Sequence, residues 1–198
     1  MSDLEIRPIK VQVMTVTIKG LSRLVTHKWS EKARKMMRDK KLQGRAATKV
    51  RELLDMQKEC EDATYLLSDG VTAAIPATAL KSAIVGAAHK DSGVPKTAIR
   101  QALFIRAHET SQEGDLLRVD HASMKMREDC VRVGMDQADL RYRPEFSDWT
   151  ITFELEYNAN VLNEDTIVNL INLAGYSIGV GEGRPEKSEL GWGRFQVV

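Results

Sequence analysis

The sequence predicts an α+β fold on the ferredoxin-like, or RNA-recognition-motif, plan β-α-β-β-α-β, carrying helical and β-hairpin insertions. Three observations predict it. Trp149, Ile151, Phe153, Leu155 and Tyr157 alternate strictly with Thr150, Thr152, Glu154 and Glu156, the period of a half-buried strand. Two apolar stripes recur at helical spacing, one through Leu80, Ala83, Ile84, Ala87 and Ala88, the other through Ile167, Leu170, Ile171 and Ala174. Strand-like runs at 7–19, 102–107 and 193–198 stand before, between and after them. Both helices should then cover one face of an antiparallel sheet. A chain of 198 residues suits a single domain spanning 1–198.

Each element has its own signal. In 7–19 the apolar phase flips between Val13 and Met14, which predicts a bulge or a strand covered on both faces. Residues 21–62 read as a basic helical insertion, with one helix capped by Ser30 and a second from about Ala46 to Glu61. Asp69-Gly70 marks the turn of a hairpin over Tyr65–Ile75. Thr78 is the expected N-cap of a helix over 77–90, and Lys96–Gln101 a short helix. Residues 108–147 form a second insertion. It includes a polar turn at Glu109–Glu113 and a loop holding His121, Met124, Lys125, Met126 and Arg127. Those methionines suit a wedge against bases or a neighbouring subunit; packing as core fillers is preferred. Asn163 should cap the second core helix, with Gly175 just past its end.

Composition excludes several classes. A hydrophobic share of 42% and a charged share of 29% describe an ordinary globular chain, without an apolar run long enough for a membrane helix. The N-terminal residues show no secretory pattern. Cys60 and Cys130 are far apart, and the four histidines lack ligand spacing. No metal or cofactor is expected, and a reducing cytoplasm is. The net charge of +1 hides a local excess: residues 23–51 hold eleven lysines and arginines against two acids. Such asymmetry suits a polyanion or an acidic protein surface, though a charge run is also an ordinary solvated face.

The glycine-rich segment 175–194 carries glycines at 175, 179, 181, 183, 191 and 193, interspersed with Arg184, Lys187 and Arg194. Such a loop can turn backbone N–H groups toward a phosphate, or be an ordinary turn. Running into a last strand, it resembles the signature of the RAMP superfamily. Ile75-Pro76-Ala77-Thr78-Ala79-Leu80-Lys81-Ser82 resembles that family's approach to its first core helix, with Ser82 where glycine is usual and Ala79 where serine is usual. The resemblance implies an RNA-recognition-motif-like backbone subunit of CRISPR effector complexes, or a phage or mobile-element relative. It also implies head-to-tail copies along a strand, and other effector subunits as partners.

The residues point to non-catalytic binding of single-stranded nucleic acid, RNA ahead of DNA, through its backbone. The candidate contacts are Lys28, Lys32, Lys35, Arg38, Lys40, Lys41 and Arg45 of the arm, and Lys81 near a helix N-terminus. Arg141 and Arg143 flank Tyr142 as a phosphate-and-stacking motif, and Gly181, Gly183, Arg184, Lys187 and Arg194 belong to the glycine segment. Lys81 and the Arg141–Arg143 group also read as plain surface residues. Two alternatives remain: a metal-independent RNA endonuclease, which the RAMP resemblance implies and which would need His27 or His121, and a protein-interaction module mimicking a subunit.

Overall fold

The computed structural model describes residues 8–29, 34–35, 37–39, 41, 55–111, 114–133 and 137–198. Its core is a four-stranded antiparallel sheet of β1 (Val11–Gly20), β4 (Leu103–Arg106), β9 (Thr150–Asn158) and β10 (Phe195–Val197), ordered β10-β1-β9-β4. Counted among core strands alone, that order is fourth-first-third-second, the expected ferredoxin-like arrangement. Helices α2 (Ala77–Ser92) and α4 (Glu164–Ser177) pack on each other and cover one face. Val16, Ile18, Leu80, Ile84, Phe153, Ile171 and Phe195 meet in the resulting core.

The phase flip in β1 has a different cause from either expected one. Pairing with β9 runs unbroken from Val11↔Asn158 to Lys19↔Thr150, so there is no bulge. Nor is the strand covered twice. Met14, Val16 and Ile18 face the helices, whereas Val11 and Val13 face outward at 50% and 45% exposure.

The helix ends also differ from expectation. Pro76, not Thr78, occupies the cap of α2, and no side chain caps it. Proline's fixed φ suits this position. Asn163 does cap α4, its Oδ1 accepting from the Thr166 N–H at 2.8 Å. Gly175, however, lies inside α4. The left-handed turn falls to Gly179, at φ +72°. Glycine is needed at 175 because the Phe195 carbonyl oxygen would lie 2.0 Å from a Cβ there, where β10 crosses the helix.

The insertions form two further sheets. Strands β7 (Ser123–Val133) and β8 (Gln137–Ser147) make one long hairpin, and β2 (Leu24–Val25) pairs with β8. The loop expected around Met124–Arg127 is therefore strand. Met124 and Met126 do not pack down; they are 46% and 44% exposed. Strands β3 (Ala74–Pro76), β5 (Glu109–Ser111) and β6 (Gly114–Arg118) make the other sheet, so the polar 109–113 turn includes a strand. The 65–75 hairpin is present: Leu66 bridges Ala73, and the Asp69 carboxylate accepts from the Val71 and Thr72 N–H groups. Helix α1 (Met56–Asp62), capped by Asp55, packs against β8. It begins well after the expected Ala46, and residues 42–54 lie outside the described set. Helix α3 (Lys96–Ala102) matches its expected position.

Candidate nucleic-acid interface

The glycine-rich segment is fixed in place by its own backbone. The Glu182 N–H donates to the Val25 carbonyl at 2.8 Å, and Gly193 N–H to Arg23 at 2.8 Å. Val180 N–H donates to Gly193, and Trp192 N–H to Gly183. Much of this backbone is engaged by the protein itself: the N–H groups of 179, 180, 182, 186, 187, 188, 192 and 193 are donated to its own carbonyls, so those amides do not turn toward a phosphate. The glycines are there for close approach. A Cβ at Gly181 would lie 2.4 Å from the Val25 oxygen, and one at Gly193 1.8 Å from the Val180 oxygen.

Holding the loop against β2 opens a cleft of about 760 Å³ between its first half and α2. The floor is apolar, from Ile75, Pro76, Ala79, Ala83, Val85, Ile178 and Val180. Four cationic side chains line it: Lys81 from α2, Lys96 and Arg100 from α3, and Arg184 from the loop. Two carboxylates, Glu182 and Glu186, oppose them. Lys81 donates to the Arg100 carbonyl at 3.2 Å; burial, and then the Arg100 charge, hold its pKa below the ordinary lysine value. Glu186 reaches Lys90 at 3.2 Å and Arg184 at 3.4 Å. Although burial pushes its carboxyl up, Lys90 and then Arg184 and Lys187 bring it below the usual range.

His27 lines the same cleft. Burial first, then Arg143 and Arg141, hold its pKa below the ordinary histidine value, which favours the neutral ring. Arg141 Nη1 donates to His27 Nε2 at 2.9 Å, because guanidinium has no acceptor. The ring proton therefore sits on Nδ1, which is buried and meets no partner among the described residues.

The expected contact residues divide sharply. Lys81, Gly181 and Arg184 line the cleft, and Arg141 reaches its margin through His27. Lys28 follows His27, with its N–H donated to Ala63. Gly183 instead supports the indole of Trp192. Arg143 is buried below the surface between Asp129 and Glu182, both at 3.7 Å. Tyr142 is 4% exposed and bonded to Glu128, so the stacking motif expected at 141–143 does not exist. Neither Lys187 nor Arg194 lines the cleft; Arg194 lies over Tyr176 in a separate shallow hollow. Lys35, Arg38 and Lys41 are exposed, while Lys32, Lys40 and Arg45 lie outside the described residues. Among the described residues of the basic arm, its root meets the loop, at Arg23–His27. Sequence reasoning missed Lys96 and Arg100. Their one local signal is an i, i+4 pair of cations on a short helix.

No profile of a known protein family matches the chain, and no curated protein matches it. Solved structures do. The chain superposes on the cryo-EM structure of the type III-B Cmr-beta bound to cognate target RNA. The TM-score is 0.54 at 11% identity, over 96% of this chain and 59% of that one. It also superposes on the crystal structure of Cmr6 from Pyrococcus furiosus, with TM-score 0.44 and 12% identity, over 96% of this chain and 99% of that one. The chain thus spans 59% of the length of the Cmr-beta chain it matches. The first likeness bears out the RNA-recognition-motif-like α+β fold. Among the described residues no helix is long and apolar enough to cross a membrane.

Proposed function

We propose that this protein binds single-stranded RNA by its backbone in the cleft between α2 and the glycine loop, as a non-catalytic subunit of a CRISPR-type effector assembly. The observation carrying this reading is the convergence of Lys81, Lys96, Arg100 and Arg184 around one apolar-floored cleft. Cations set this way neutralise phosphates, and the apolar floor takes sugar and base edges. The fold likeness to a structure bound to target RNA supports it. His27 supports the absence of a chemical step, since its Nε2 already accepts from Arg141 and its Nδ1 is buried. Head-to-tail copies along one strand and contacts with other effector subunits extend the reading, as the family resemblance implies.

The test is binding of labelled single-stranded RNA and DNA at rising salt, with a chelator present. We expect RNA binding at low salt, with log K falling by about 0.7 per log unit of salt for each phosphate neutralised. No binding at low salt, or the appearance of cleavage products, refutes the reading. Assembly is checked on a column: long RNA should carry several copies, and nuclease should release them.

Glu186 gives a sharper expectation. Its carboxylate occupies Lys90 and Arg184 much as a phosphate oxygen would. Glu186→Gln should therefore tighten RNA binding several-fold and steepen its salt dependence, by freeing cations for phosphate. Weaker binding would show that Glu186 orders the loop instead.

A further inference from the structure

We infer that Phe104 is a stacking site for one nucleobase of the strand held in the cleft, an inference that rests on the RNA-binding reading above. Phe104 is the second residue of β4, directly after α3, and its side chain is 50% exposed. Among the described residues the exposed aromatics are Trp29, Phe104 and Tyr176, and Phe104 is the one whose ring meets a cation of the cleft wall. Lys81 Nζ lies 4.1 Å from the ring centroid while donating to the Arg100 carbonyl. That cation–π contact fixes an otherwise solvated ring beside Lys81 and Arg100. A phosphate on those two cations brings its own nucleoside within reach of the ring, and every base offers a π-face to stack.

The surroundings limit the site to one base. Across the open face of the sheet, Phe104 stands beside Glu156 in the pairing register, with Val13 beyond. Arg106 ties up Glu156 and Glu154 next to it, at 3.0 Å each. A second base on this face would meet carboxylates and an occupied guanidinium rather than an aromatic.

The experiment compares oligo(A), oligo(U) and an abasic ribose-phosphate oligomer of equal length by fluorescence anisotropy. Wild type should bind oligo(A) about tenfold tighter than the abasic strand, the worth of one stacked base. Phe104→Ala should abolish that preference while leaving abasic affinity and salt slope unchanged, and Phe104→Trp should keep it. If Phe104→Ala weakens all three strands equally, or leaves the preference intact, the stacking site is refuted. If wild type binds all three strands equally, stacking alone fails; if it binds none at low salt, the cleft reading fails, and this inference with it.

Discussion

Gly193→Ala should lower the melting temperature by about 10 °C. Two costs add. Gly193 sits at φ +63°, where a side chain is strained by about 1–3 kcal/mol. Its Cβ would also lie 1.8 Å from the Val180 carbonyl oxygen and 2.8 Å from the Val180 carbonyl carbon. Those atoms cannot swing aside like the end of a flexible side chain. The Val180 N–H donates to Gly193, and the Gly193 N–H to Arg23, so the two limbs of the loop and the segment leading into β2 must part together. Overpacking of this kind adds about 1–3 kcal/mol. At about 2–4 °C per kcal/mol for a domain of this size, the sum gives the expected shift. Gly191→Ala is the internal control. Its φ of +68° is equally left-handed, but nothing lies within 4 Å of a Cβ. It should cost only the strain. Thermal unfolding followed by circular dichroism separates the two, and equal shifts would show that the packing argument is wrong.

Replacing Lys96, Arg100 and Arg184 together by alanine should weaken RNA binding about a hundredfold at low salt. It should also reduce the magnitude of the salt slope by about 2, since each phosphate contact on a single strand contributes about 0.7. Lys96 and Arg100 are exposed on α3, so the fold should survive, which the far-ultraviolet spectrum verifies. Lys187→Ala with Arg194→Ala supplies the contrast. Both residues belong to the glycine segment, yet neither lines the cleft. If this pair matters more than the triple set, the strand runs along the other side of the loop.

The core order was legible because both helix stripes and the 149–157 alternation are apolar patterns with an uninterrupted period. The β7–β8 hairpin was not, for a physical reason. Its buried and half-buried positions include Arg127, Asp129, Arg143 and Glu145, which satisfy one another as ion pairs. A strand face filled by charges gives no hydrophobic alternation to read. The cap of α2 was assigned to a hydroxyl two residues downstream of the proline that holds it. The longest run of cations in the sequence, 23–51, is the most visible charge signal for a polyanion site. The cations that converge come from positions 81, 96, 100 and 184, brought together by topology. Gly181 and Arg184 were found because glycines needed for close packing leave a visible cluster. Lys96 and Arg100 leave almost none.

The Trp192 indole meets the guanidinium groups of Arg127 and Arg23, at 4.1 and 5.8 Å from the ring centroid. Arg143 links Asp129 on the hairpin to Glu182 on the loop. Packed side chains and ion pairs of this kind carry mechanical coupling between distant parts. Arg143 thus joins the long hairpin to the cleft wall at Glu182 by a path that lies outside the central sheet.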